Sequence, residues 1–458
     1  MMEEGSVYVC GNVTWETSLI KNKRGKAETV LWTPHRLEGA PKGWKVVTGS
    51  SSFHCFVLTT NGEAHGFGRN GAGQIGVGKY NAAVHVPQKA KVGSAEDPVI
   101  DAACGKAHSL FLLKSGAVFG CGVNGYGQLG TGSTSERCHT PVKCKIPGDK
   151  KCRAVAAGLD FSLVLTEDGE VYSFGCGEYG KLGIGTDGAH NTSGSSIKMG
   201  FHPFPTPRKI LGLEDVRLIA AGNHHGLAAT RTRVFAWGYG AYGRLGLGST
   251  KNKDVFRPEM CECSGWVAMG KRMAEDKCLF KKLAAGKESS LAVLRERMTT
   301  YAWGKVKAAQ PEADMYPKIL QDLQGWDIRS ISLGAGFIMV AADTSVIAWG
   351  AGTEGSLGFG DPPKFPKSSA QARKVEPLEG LTALSISAGA NHTVMVLKET
   401  EDSKSILDAL NVHTPVNISD ADVGNDEDDF FETDGRKRKG PGRGRGRGRG
   451  RGISKRGR

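Results

Sequence analysis

Three stretches of this sequence, GCGEYG (175–180), GYGAYG (238–243) and GAGTEG (350–355), have the G-x-G-x-x-G spacing of a dinucleotide-binding turn. In such a turn the glycines let backbone N–H groups approach a pyrophosphate, and a helix follows at once. No helical pattern follows these three, and they recur at one interval. They read as junctions inside a repeat, and no cofactor is expected. Four histidines, His54, His108, His225 and His392, recur at the same interval. Imidazoles can bind metals or move protons. One per repeat puts each in a different unit, so a buried turn hydrogen bond is the expected role. Cys261-Glu262-Cys263 lacks the ligand gap of a zinc finger, and no metal site is expected. No nucleophile, base and orienting acid stand together in a recognisable pattern, so covalent catalysis is not expected.

The elements that position these residues follow from the repeat. Residues 54–78 (HCFVLTTNGEAHGFGRNGAGQIGVG), 108–132 (HSLFLLKSGAVFGCGVNGYGQLGTG) and 161–185 (FSLVLTEDGEVYSFGCGEYGKLGIG) are copies of one pattern. Looser copies run over 225–248 and 337–360, and eroded ones over 289–304 and 392–397. With the residue three before the histidine position as a ruler, the anchors are Ser51, Gly105, Gly158, Gly222, Gly286, Gly334 and Gly389. Their separations are 54, 53, 64, 64, 48 and 55 residues, which makes seven units. Each unit holds about four short strands. Residues 108–113 and 117–122 form two, joined by the turn Lys114-Ser115-Gly116. A third lies upstream, as in VIDAACG, CRAVAAG, VRLIAAG and IRSISLG. The fourth starts at a proline, Pro141, Pro207 or Pro317, which cannot donate to a ladder and suits the outermost strand.

Apolar residues on both strand faces require each small sheet to be covered on both sides by its neighbours. That predicts an all-β, seven-bladed β-propeller. The seventh unit stops at Leu397 without outer strands, while the segment from Val7 to Asn12 repeats the Cys-Gly-x-Asn register of 118–124. The N- and C-terminal strands are therefore expected to pair in a shared last blade, which leaves no open edge in the ring. The loop glycines permit positive φ, and the Leu of GQLG is expected to plug the wedge between sheets.

ACGKAHSLFLLKSGAVFGCGVNGYGQLGTG (103–132) resembles the repeat of the regulator of chromosome condensation family, and the match covers roughly residues 5–400. LWTPHRL (31–37), MYPKILQDLQGWDIRSI (315–331) and PKSSAQARKVEPLEGL (366–381) resemble the branch of that family formed by its second member. Unit five departs from the pattern, since it lacks GQLG. The resemblance implies a seven-bladed propeller and mitotic, chromatin-linked roles. Exchange factors of the family loosen nucleotide from a Ras-like GTPase of the Ran type, using acidic and histidine residues in the turns before the second strand. On that basis Asp160 (in GLDFS) and His224 (in GNHHG) are the expected GTPase-binding residues, whereas unit two carries Lys106 at the corresponding turn. Guanine-nucleotide exchange is the most that the resemblance implies by way of enzyme activity. The insertions 186–210 and 249–282, the second with Trp266, Lys271 and Arg272, are long loops of the kind that bind partners.

The formal charge of the 458 residues is +13, and it is unevenly placed. Residues 420–434 hold eight acids and no base, and residues 435–458 hold twelve Lys and Arg and no acid. Three regions are expected: a propeller over 1–400, a disordered acidic linker over 401–434, and a basic Arg-Gly tail over 435–458. Arg436, Lys437, Arg438 and Lys439 form a cluster of the kind nuclear importers read. Arg443, Arg445, Arg447, Arg449 and Arg451 alternate with glycine, so guanidinium groups can pair with phosphates on a backbone that follows any path. RNA or DNA is the expected partner of the tail. The order of the two blocks predicts that the acidic one competes with RNA for it. Eleven scattered cysteines read as reduced core residues, MMEEGS does not read as a secretory leader, and no run of about 18 apolar residues occurs. A monomeric nuclear protein with no membrane partner is expected, located in the nucleoplasm, nucleolus or on chromosomes. Two functions remain open: an adaptor or regulator binding a small Ras-like GTPase or chromatin proteins, and an RNA-binding protein whose propeller recruits other proteins.

Overall fold

The computed structural model describes residues 3–15, 30–193, 199–248, 253–270, 277–295, 298–307, 312–352 and 354–415. Seven antiparallel sheets form the blades. In the second blade, Val99–Cys104, His108–Leu113, Val118–Asn124 and Ser135–Lys143 pair in chain order from the inside outward. The third blade repeats this with Cys152–Ala157, Phe161–Thr166, Val171–Cys176 and Pro203–Lys209. The innermost strands of successive blades touch in an unbroken circle, the last against the first. All six residues of His108–Leu113 and of Phe161–Thr166 are buried, as strands covered on both faces must be. The cores lie between blades: Phe56 of the first and Phe111 of the second meet edge to face at 5.0 Å. Leu129, Leu182 and Leu245 are buried in the wedges, as expected of plugs. Gly122 has φ +103°, and a Cβ there would lie 2.3 Å from the Ala107 carbonyl oxygen, so only glycine fits that corner.

The ring closes through the two ends of the chain. Gly5–Asn12 pairs antiparallel with His392–Lys398, in register from Gly5 with Lys398 to Gly11 with His392, and Val30–Leu37 lies outside it. The chain does not leave the fold at residue 400, where the sequence places the start of the linker. Helix Lys404–Ala409 sets Ile406 and Leu407, with Leu410 beyond it, against the core of the last blade. Val412–His413 then adds a fifth strand, parallel to Val30–Leu37, with Arg36 N donating to Asn411 O at 2.8 Å and Glu38 N to His413 O at 3.0 Å. A cavity of about 490 Å³ remains beside the helix, lined by residues that include Tyr8, Arg36, Lys404 and Leu407. Residues 420–434 and 435–458, with all the tail residues named above, lie outside the described residues.

The repeated histidines join one blade to the next. The Nε2 atoms of His54, His108 and His225 meet the hydroxyls of Ser109, Ser162 and Ser290 at 2.8, 3.0 and 2.8 Å. Each serine donates onward to a carbonyl in a wedge plug, of Gln74, Gln128 and Arg244 respectively. At the seam between last and first blades, His392 Nε2 meets Cys55 Sγ at 3.0 Å. The expected turn bond is present for His54, whose Nδ1 lies 2.8 Å from Ser52 Oγ. Burial pushes these imidazoles down, to about 3 for His54 and His392 and about 4 for His108, and His225 well below its ordinary value. All eleven cysteines are free thiols, eight of them buried.

Candidate functional site at the third and fourth blades

The turns that precede the second strands all lie at one end of the propeller, because each ends an innermost strand and begins its neighbour. Backbone bonds tie these turns around the axis: Lys106 N to Leu159 O, Leu159 N to Asn223 O, and Asn223 N to Gly286 O, at 3.0, 3.2 and 3.2 Å. Asn223 of the fourth blade also reaches the first, accepting from Ser50 Oγ and donating to Ser51 Oγ, both at 2.6 Å. The centre of this face is thus held shut by side chains, and the exposed chemistry lies around it.

Asp160 and His224 occupy adjacent turns on this face, and the structure brings them together around a residue the sequence did not single out. Lys181 replaces the glutamine of the repeat, and its side chain is fully buried with Nζ 2.6 Å from Asp160 Oδ1 and 4.0 Å from Glu178. The close contact lies off the hydrogen-bond line, and neither charged atom finds a well-aligned partner. Burial is the largest influence and opposes the Lys181 charge, but Asp160, Cys176 and Glu178 together outweigh it and the ammonium is held above its ordinary range. His224 is pushed down to about 3 by burial and then by Lys181, so it is neutral at physiological pH, and its Nδ1 has no hydrogen-bond partner. Its ring stands edge-on to Tyr179 at 5.5 Å and Tyr239 at 6.2 Å. Arg244 takes the glutamine position one unit later, stacking over Tyr239 at 4.7 Å and Tyr242 at 5.6 Å and donating to the carbonyls of Ala241 and Lys287. In the ordinary units Gln74 and Gln128 accept from Ala72 N and Tyr126 N, both at 3.0 Å. The signal was therefore in the sequence: GKLG and GRLG stand where GQIG and GQLG stand elsewhere.

The same loops carry backbone strain. Tyr179 and Tyr242 have φ of 62° and 60°, a left-handed conformation that bulky residues rarely adopt. Beside them the insertion of the third blade folds into a hairpin, Ala189–Asn191 with Met199–Phe201. It rises where Cys176 pairs with Pro203, the end at which Phe161 pairs with Gly175 and hence the face of Asp160. His190 and His202 stack at its base, 3.9 Å apart. The second insertion turns inward: Trp266 is buried against Phe280, Tyr301 and Trp303, while Lys271 and Arg272 lie outside the described residues. Unit five, which lacks GQLG, leaves a cavity of about 170 Å³ lined by Lys287, Lys305, Val306 and Lys307 on one side and by 334–338 on the other. GCGEYG and GYGAYG lead into single 3-10 turns, Glu178–Gly180 and Ala241–Gly243, as blade junctions do. Among the described residues no group of three or more His, Cys, Asp and Glu is arranged to hold a metal.

Comparison with known proteins agrees with this architecture. Residues 85–395 match the family model described as RCC1-like domain. Protein RCC2 of Homo sapiens is 34% identical over 438 residues, which cover 90% of this chain and 80% of that protein. The RCC2 homolog of Xenopus laevis is 34% identical, with 90% and 81% covered. Among solved structures, human WBSCR16 superposes with a TM-score of 0.69 at 21% identity, covering 86% of this chain and 99% of that one. Prp20p of Saccharomyces cerevisiae, whose structure was described with its binding to Gsp1p and histones, superposes with a TM-score of 0.67 at 17% identity, covering 88% and 94%. The repeat, the closed ring and these matches agree, and the chain belongs to the RCC1-like domain family, with Protein RCC2 among its relatives.

Proposed function

We propose that the chain is a nuclear adaptor that binds a small Ras-like GTPase or a chromatin protein through the face bearing Asp160, His224 and the 189–201 hairpin. The observation that supports this most is the convergence of Tyr179, Tyr239 and Tyr242 on adjacent turns there, with the buried Arg244 stacked beneath Tyr239 and Tyr242. Tyrosine is among the residues that most often dominate binding energy at protein interfaces. Tyr242 is 41% exposed and Met199 of the hairpin 54%. The binding of Gsp1p and histones by Prp20p supports the same two classes of partner. Exchange activity is the stronger form of the proposal. Against it stand Lys106, a cation in a turn where the resemblance expects an acid, and the engagement of Asp160 by Lys181. Sign reversals at an interface cost several kcal/mol. The test is to immobilise the full chain and a Tyr242→Ala variant against a panel of Ras-like GTPases, each nucleotide-free or loaded, and against histone complexes. Binding of one partner that weakens about tenfold or more in the variant is expected. Binding of none, or equal binding by both chains, rejects the reading, and release of fluorescent GDP measures exchange.

A second reading is supported by the Arg-Gly run alone: an RNA-binding nuclear protein whose propeller recruits other proteins. Six arginine-to-phosphate contacts with single-stranded RNA would give a slope of log affinity against log salt of roughly −4. Deleting residues 440–458, which removes the Arg-Gly run and leaves the cluster 436–439 in place, separates the two. Loss of localisation with partner binding intact favours RNA, and retention of both favours the adaptor.

A further inference from the structure

At the opposite end of the ring the innermost strands bring seven equivalent residues to one level of the central channel. They are Lys45, Asp101, Ala154, Leu218, Lys282, Ser330 and Ser385, each paired with the fifth residue of its neighbouring strand or that position's equivalent: Leu58, Leu112, Leu165, Ala229, Val293, Ala341 and Val396. Ala154 and Leu218 are apolar, and the two serine hydroxyls are engaged between blades, Ser330 with Ile386 and Ser385 with Val46. Lys45 Nζ lies 2.5 Å from Asp101 Oδ1, and that oxygen also accepts from Ala102 N at 2.7 Å. Asp101 is thereby committed. Lys282, from the fifth blade, has no ion pair or hydrogen bond among the described residues. Burial lowers its pKa, Lys45 and Lys281 lower it further, and Asp101 alone opposes them. Lys45 and Asp101 belong to the first and second blades, so these groups face Lys282 over the channel.

The next position along the strand adds to the excess of positive charge. Four successive blades place Arg153, Arg217, Lys281 and Arg329 there. Arg217 pairs with Asp215 and Lys281 with Asp327, at 2.8 and 2.7 Å, while Arg153 and Arg329 donate to backbone carbonyls. Three of these six cations form ion pairs, with Asp101, Asp215 and Asp327, while Arg153 and Arg329 lie within electrostatic reach of Glu167 and Glu3. A partly buried ammonium without a counter-charge is destabilising unless something supplies one.

We propose that this end of the channel binds a small oxyanion, phosphate or carboxylate, held between Lys282 and Lys45. The site is separate from the partner face at the third and fourth blades. The test uses the full chain and its Lys282→Met variant, which keeps the length of the side chain and removes the charge. Thermal unfolding is followed in chloride, phosphate, pyrophosphate and acetate at equal ionic strength. Effects of the basic tail are common to both chains and cancel in the comparison. In chloride the variant is expected to melt higher than the native chain. At an oxyanion concentration near a hundred times Kd the native chain should gain about 3 °C, and the variant should not. A rise confined to phosphate and pyrophosphate identifies a phosphate site, and an equal rise in acetate a carboxylate site. A variant that gains as much as the native chain, a native chain that gains in none of the anions, or a variant less stable in every buffer overturns the proposal.

Discussion

The repeated histidines illustrate how a residue with catalytic potential becomes structural. Each is neutral in the fold because burial disfavours its charged form. The unfolded chain takes up these protons near pH 6.5 and the folded one only near pH 3 to 4, so stability is unaffected above that window and falls as pH drops through it. A loss of about 2 kcal/mol per buried histidine by pH 5 is expected, measured as denaturant midpoints at pH 7, 6 and 5. A His108→Asn variant should show a shallower slope. The Lys181–Asp160 pair gives a second prediction at this scale. Lys181→Ala should destabilise the fold by about 3 kcal/mol, because it strands a partly buried carboxylate, and the double variant Lys181→Gln with Asp160→Asn should recover most of that loss in a double-mutant cycle. The sequence pointed to Asp160 and His224 and placed them on one face. It did not reveal that Lys181 already holds Asp160, because a lysine in a polar loop reads as solvated until the neighbouring blade is seen to cover it.

Elements were legible where they repeat and obscure where they do not. The four strands per unit, the plugs and the shared last blade follow from periodicity alone, since each copy confirms the others. The segment beyond Lys398 has no copy. Its apolar residues Ile406, Leu407 and Leu410 are too few to show a period among charges, so the sequence reading ended the fold at 400. Removing residues 416–458 should shift the melting temperature by less than about 1 °C. Removing everything from residue 400 should lower it by about 3 to 4 °C, because three apolar contacts worth roughly 1 kcal/mol each are lost. Scanning calorimetry of the two truncations checks this. The hairpin at 189–201 was visible only as extra length, since an insertion that packs on nothing repeated carries no pattern.

At the scale of the whole molecule, stability depends on closure. Val9 lies in the middle of the first strand, opposite Val394 on one side and His35 on the other. A Val9→Pro substitution removes a ladder bond of the shared last blade, from Val9 to the outer strand, and a loss of more than about 3 kcal/mol with broadening of the single melting transition is expected by circular dichroism. Seven blades were countable because the anchors are evenly spaced, and closure was readable because one short N-terminal segment matches an interior one. The face proposed to bind a partner was less readable, since it is assembled from turns about sixty residues apart. That the first strand pairs with the one from His392 to Lys398 also has a consequence for biogenesis. At about 5 to 20 residues per second, the ribosome takes roughly 20 to 80 s to make the second after the first. Throughout that interval the edge of Val7, Tyr8 and Val9 that will meet Val394 to Val396 waits bare and sticky, even once Val30–Leu37 has joined the other side. Substitutions there are thus felt first as lost yield and aggregated nascent chains, before any change is seen in the protein that survives.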